Sequence, residues 1–334
     1  MNRPPGRHDW DPVVAALLAG PQVLLLAHVS PDADALGSAL AVGLALRQLG
    51  RPAVVSFGDD PFVVPRTLRA LPGLDLLRPP DQVGVASVAV SFDVSSPGRL
   101  GVLTEVYQAA PVRVAVDHHA SYTGFGGLSV VDVAAPATAV LALELIDRLG
   151  AQLTEEIAAP LYAGLLTDTG SFTYAATTAD THAVAARLLG TGIKHDLIAR
   201  RLFDDESFPA LRLLGVTVAR AELEPSAVGG LGLVHSYVTR PERAEHELPL
   251  DCLERVIDVL RCSSEAEVAA VLKQDDTNAW RVSMRSKGSI DVSRVAAALD
   301  GGGHRFAAGF TGSTDRGEVL AALRSVLADV AAAG

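Results

Sequence analysis

The chain has 334 residues, 49% hydrophobic and 20% charged, which points to two domains of ~150 residues and excludes general disorder. With 28 Lys and Arg against 39 Asp and Glu, the net charge is −11. That excludes a protein that coats duplex DNA through a basic surface, but not one that grips a short anion locally. Two cysteines, Cys252 and Cys262, read as free thiols in a reducing, cytoplasmic compartment. The polar segment 1–12 is no signal peptide. The apolar stretch 13–29 is broken at Gly20, Pro21, Gln22 and His28, too often to span a bilayer.

Short, β-branched apolar runs at 23–29, 53–57, 85–92 and 112–116 predict strands covered on both faces, with 128–131 as an edge strand. Helical patterns lie between them at 35–49, at a proline-broken 65–71 and at 100–109. Further helices follow at 136–149, 155–166 and 178–189. This βαβα rhythm predicts an α/β fold with a doubly wound, mostly parallel sheet over residues 1–193. A charged helical connector is expected over 194–222. A second, smaller domain over 223–334 mixes strands and helices: a strand pattern at 228–237 around Gly229 and Gly230, and a helix at 251–260. A hairpin at 265–273 and 280–285 turns at 275–278. A helix at 292–299, a glycine-rich turn and an Ala-rich terminal helix complete the chain.

Acids and histidines gather where the parallel strands end. The first strand runs into His28, Asp32 and Asp34. The third ends at Asp93 and the fourth at Asp117, His118 and His119. Asp168 follows the 155–166 helix. In open α/β sheets ligands bind beyond the carboxyl ends of the strands, so these groups are expected to converge on one crevice. Carboxylates with imidazoles and no thiolate suit Mn²⁺, Mg²⁺ or Fe²⁺ better than structural zinc. The set is too large for one ion with an open site. It fits two ions sharing a bridging acid, which would activate a water and neutralise charge on phosphorus. A lone Asp at a strand end is ordinarily a helix cap or turn former. Four such clusters together are a functional signal, because packed carboxylates repel.

His28-x-x-Pro31-Asp32-x-Asp34-x-x-Gly37-Ser38, Asp93, Asp117-His118-His119, Gly164-x-x-x-Asp168-Thr169-Gly170-Ser171-Phe172 and Gly301-Gly302-Gly303-His304, in this order, resemble the DHH phosphoesterase superfamily. The chain is similar, more narrowly, to its branch of bifunctional oligoribonucleases and pAp phosphatases, with a DHH-associated C-terminal domain. The resemblance implies a Mn²⁺-dependent enzyme with two ions per site. His28 and Asp32 would hold the first ion, Asp34, His118 and Asp168 the second, and Asp93 both. Asp117 would orient the histidine pair, and His119 would face the substrate phosphate and either stabilise the transition state or protonate the leaving oxygen. Ala33 stands where many relatives have glycine.

The resemblance also makes the second domain a substrate clamp. Arg285 would fork onto a phosphate beside Ser286 and Lys287. Gly301, Gly302 and Gly303 would offer an anion nest, and His304 a phosphate bond or a base stack. Implied substrates are pAp at its 3′-phosphate, very short RNAs, and linear or cyclic dinucleotides, with cyclic di-AMP among them. Neither duplex DNA nor a membrane is an expected partner, and a homodimer is implied by the family alone. The rivals are a DHH exopolyphosphatase or pyrophosphatase and a non-catalytic nucleotide sensor on the same scaffold. The six expected metal ligands all being present argues against the sensor.

Overall fold

The structure, a computed structural model, describes residues 8–333. Most of the polar segment 1–12 and the side chain of Cys252 lie outside the described part. The chain divides into two compact units, Met1–Asp205 and Glu206–Gly334.

The first unit is built on a five-stranded parallel sheet: β1 (Val23–Ala27), β2 (Ala53–Phe57), β3 (Val88–Phe92), β4 (Val112–Asp117) and β5 (Leu128–Val131), in the order β2-β1-β3-β4-β5. All residues of β1 and β3 are buried, as expected for strands with helices on both faces. The register places Leu25 against both Val55 and Val90. Strand order reverses beside β1, so crevices open past the ends of β1 and β3. The helices are α1 (Asp11–Ala19), α2 (Ala33–Gln48), α3 (Thr104–Ala109), α4 (Thr138–Leu149), α5 (Glu155–Asp168), α6 (Ala179–Leu189) and α7 (His195–Phe203). Helix α2 is buried continuously from Ala33 to Leu46, so it is apolar all round rather than amphipathic. It lies close to α5. A Cβ on Gly37 would stand 2.4 Å from the Pro160 carbonyl oxygen, and one on Gly164 2.8 Å from Asp34 Cα.

The expected 100–109 helix is split. Gly101 turns left-handed (φ 57) inside a 3₁₀ turn, Pro97–Leu103, before α3 begins. Only glycine fits there, because a Cβ would lie 2.3 Å from the Gly58 carbonyl oxygen. The expected helical connector, 194–222, holds two helices. Ile198 and Leu202 of α7 pack on the first core, whereas α8 (Phe208–Ala219) buries Ala210 and Leu213 in a core of the second unit.

The second unit has a six-stranded mixed sheet in the order β10-β11-β9-β8-β7-β6. After α8 come β6 (Glu222–Glu224), α9 (Ala227–Gly230), β7 (Leu233–Val238), α10 (Arg240–Ala244), α11 (Glu254–Leu260), β8 (Val268–Gln274) and β9 (Trp280–Ser286). Then come α12 (Val292–Ala297), β10 (Gly302–His304), β11 (Ala307–Gly312) and α13 (Arg316–Ala332). Trp280, Val282 and Met284 face the core shared with α12 and α13. The strand expected from 228 starts only at 233, because Val228, Gly229, Gly230 and Gly232 all take positive φ and form a turn. The glycine-rich run is no open turn: Gly302, Gly303 and His304 pair antiparallel with Gly309, Ala308 and Ala307. Among the described residues no helix is long and apolar enough to cross a membrane.

Candidate active site

Strand ends deliver the first unit's charged residues. His28 follows β1, Asp93 follows β3, Asp117 closes β4, and His118 and His119 come next. Four of the eight non-glycine residues with positive φ, among the described residues, belong to this region: Ser30, Asp93, Ser171 and Phe172. Left-handed backbone in such residues costs ~1–3 kcal/mol each and persists where the surroundings over-determine it. Ser30 shows how: its N–H donates to both carboxylate oxygens of Asp59 at 2.9 Å.

Asp32 divides its labour between its oxygens. Oδ1 caps α2, accepting from the N–H groups of Asp34 (3.0 Å) and Ala35 (2.9 Å). Oδ2 faces His28 Nε2 at 3.6 Å. The ordinary reading of such an Asp as a helix cap and the functional one therefore both hold. Asp34 is fully buried, and the start of α4 holds it. Thr138 N–H donates to its Oδ2 (2.6 Å) and Ala139 N–H to its Oδ1 (2.8 Å). Asp93 lies between two corners. Its Oδ2 is 3.7 Å from His28 Nε2, and its Oδ1 is 3.4 Å from both His118 Nε2 and His119 Nδ1. Asp168 Oδ2 completes the second corner, 3.0 Å from His118 Nε2.

Both corner imidazoles present Nε2 inward. His118 Nδ1 donates to the Ala135 carbonyl at 3.0 Å, leaving the Nε2 lone pair facing Asp34, Asp93 and Asp168. His28 Nδ1 lies 2.8 Å from the Val29 carbonyl, with the Arg99 guanidinium 2.9 Å from the same nitrogen. Asp117 Oδ1 accepts from the backbone of His118 (2.8 Å) and His119 (3.2 Å) and from the His119 ring (2.8 Å). So Asp117 steers the His119 ring, while the His118 ring is steered by a carbonyl. The buried Asp117 Oδ2 has no hydrogen-bond partner.

Charge follows this geometry. Burial, then the carboxylates of Asp168 and Asp93, push the Asp34 carboxyl well above its usual range. Burial also opposes ionisation of Asp93, but His119 and His118 outweigh it and hold Asp93 well below. Burial would lower His119, yet Asp93 and Asp117 push it up to about 10. Imidazole nitrogens and carboxylate oxygens that converge in this way form donor sets a cation can occupy. Among the residue groups whose donor atoms lie close enough to share an ion are His28 with Asp32 and Asp93, Asp34 with Asp93 and His118, and Asp93 with Asp117 and His119. The donor set of hard oxygens and imidazole nitrogens fits manganese or magnesium.

In the second unit the structure separates the expected clamp residues. Arg285 of β9 and His304 of β10 both register opposite Ala307 of β11, so they stand on one sheet face with a small side chain between them. Arg285 Nε is buried without a hydrogen-bond partner. Ser286 points to the other face and donates to Glu267 (2.9 Å), and Lys287 Nζ bonds the Ser263 carbonyl. Gly301 N–H is already spent on the Ala296 carbonyl (2.8 Å), which removes one donor from the expected nest. Carbonyls approach Gly301 and Gly303 at 2.2 and 2.6 Å from where a Cβ would be, so strand packing alone demands glycine there.

Sequence patterns passed over Asp59, Arg99 and Thr138. Thr138 at a helix start reads as a cap, and no periodicity reveals that its hydroxyl reaches Asp93 (2.9 Å), 45 residues away.

Residues 22–165 match the DHH family, N-terminal domain, and residues 231–332 the DHHA1 domain. The bifunctional oligoribonuclease and PAP phosphatase NrnA of Thermus thermophilus is 36% identical, covering 89% of this chain and 86% of its own. Its Bacillus subtilis namesake is 22% identical over 86% of this chain and 88% of its own. The cyclic-di-AMP phosphodiesterase GdpP of Bacillus subtilis is 23% identical over 84% of this chain but 43% of its own. The crystal structure of an exopolyphosphatase-related protein from Bacteroides fragilis shares the fold, with a TM-score of 0.86 at 24% identity, covering 97% of this chain and 96% of that one.

Proposed function

The chain belongs to the DHH phosphoesterase family, in its NrnA-like branch, and on that premise we propose that it is a manganese-dependent phosphohydrolase. Its substrates are very short RNAs, linear dinucleotides such as pApA, and pAp, from which it removes the 3′-phosphate; cyclic di-AMP is a further substrate. The observation that carries this reading is Asp93, whose two oxygens face different histidine corners. His28, Asp32 and Asp93 would hold one ion, and Asp34, Asp93, His118 and Asp168 the other. When bound, such a pair supplies Lewis acidity at the phosphoryl oxygens and a nucleophile at neutral pH.

The protein's own groups do the rest. His119, with Asp117 at its Nδ1, keeps a proton at neutral pH and gives it to the leaving oxygen. Asp117 accepts from Nδ1–H, so the proton that leaves is the one on Nε2. In the second unit Arg285 and His304, which flank Ala307, bind a substrate phosphate. Arg285 supports this best, because its buried Nε has no other partner.

The test is hydrolysis, with Mn²⁺, of pAp, a 5′-phosphorylated diribonucleotide and cyclic di-AMP by the wild type and by Asp93→Ala. Turnover of at least one by the wild type and none by the variant is expected. Cleavage of pyrophosphate or polyphosphate instead would replace the substrate class and leave the metal reading intact. Binding without cleavage would mark a sensor.

A further inference from the structure

We propose that Thr138 is a positioning residue that sets the spacing of the two cation sites; this rests on the two-ion reading above. Thr138 is fully buried at the first turn of α4, and it is bonded to two ligand carboxylates at once. Its backbone N–H donates to Asp34 Oδ2 at 2.6 Å, and its hydroxyl donates to Asp93 Oδ1 at 2.9 Å. Asp34 belongs to one corner only. Asp93 belongs to both.

The hydroxyl bond falls on the Asp93 oxygen that faces His118 and His119, while the other oxygen faces His28. It therefore fixes the rotation of the carboxylate about its Cβ–Cγ bond, which decides how its two oxygens are shared. The backbone bond ties the same α4 turn to Asp34, and Ala139 N–H ties it again at 2.8 Å. Asp34 in turn abuts Gly164 of α5, where a Cβ would stand 2.8 Å from Asp34 Oδ1. No other side-chain hydroxyl among the described hydrogen bonds reaches Asp93. Partners of this kind are worth ~10–100-fold in metal affinity or activity.

The test is a manganese titration followed by electron paramagnetic resonance, which reads the ions directly. Wild type with two ions per chain gives the exchange-coupled spectrum of a pair ~3.5–4 Å apart. Thr138→Val removes the hydroxyl at constant shape and keeps both backbone bonds to Asp34. In this variant the second ion is expected to bind ~10–100-fold more weakly. At equal loading its spectrum shifts toward that of isolated ions. Thr138→Ser restores affinity and coupling, which a merely space-filling role would not require. Thr138→Ala repeats the measurement should the valine variant not fold. Unchanged affinity and coupling in a folded hydroxyl-less variant overturns the assignment. A wild type that takes up no coupled pair overturns the two-ion reading and the Thr138 assignment with it, and is recognised without any variant.

Discussion

At the strand ends of the first unit, Asp32, Asp34, Asp93 and Asp168 crowd around His28 and His118. On the sheet of the second unit, Arg285 and His304 flank Ala307. The acidic region is tied down before anything binds: Asp34 has two backbone donors, Asp32 caps a helix, and carbonyls hold the imidazoles. The basic region is loosely tied, with one Arg285 nitrogen bonded to the Met284 carbonyl and Nε unsatisfied. On the proposed reading, the group that would hold ions in fixed geometry is preorganised from many directions. The group that would meet a variable ligand keeps hydrogen-bonding capacity in hand.

This contrast breaks most sharply at Asp93. Asp93→Ala is expected to lower hydrolysis by roughly 10³-fold with little loss of folding, measured as kcat beside a thermal melt. If that variant kept wild-type rates, the strand-end cluster would not be the catalytic region. In the second unit, Arg285→Ala is expected to raise KM roughly 10–100-fold and leave kcat nearly unchanged, and lysine should restore only part of the loss. A change in kcat alone would mean that Arg285 serves chemistry instead of recognition. Gly164→Ala sharpens the same comparison from within the fold. Its new Cβ would press on Asp34 at 2.8 Å, so it should cost ~1–3 kcal/mol in denaturant unfolding and weaken manganese uptake, with KM unaltered at saturating metal.

The smallest effect lies away from both regions. Burial would raise Glu242, but bonds from Arg220 and Thr239 pull its pKa down to about 2. A depressed carboxylate contributes its stability above the unfolded value and loses it as pH falls through the folded one. Glu242→Gln should therefore destabilise by under about 1 kcal/mol at pH 7, and by nothing measurable near pH 2. An equal effect at both would show that the Arg220 contact is steric.

Much of the first unit was legible because its signal is local. Short apolar runs such as β1 and β3, buried along their whole length, declare parallel strands, and His28 and Asp93 just past them declare the crevice. What escaped was set by contacts distant in sequence. Gly101 breaks a helical pattern because Gly58 lies against it, and Thr138 serves a carboxylate that topology brings near. The second unit hid more for the same reason. A glycine run reads as a loop from its flexibility, and only the approach of the Gly309 and Ala307 carbonyls makes it a strand.

Asp93 holds a left-handed backbone (φ 61) amid other buried acids, and that has a bearing on laboratory evolution. Glycine adopts such an angle without penalty and carries no charge into the pocket. A screen for heat resistance that ignores turnover therefore weighs relief of this angle against loss of the Asp93 contacts with His118, His119 and Thr138, and enrichment or depletion of Asp93→Gly reads out which of the two is larger.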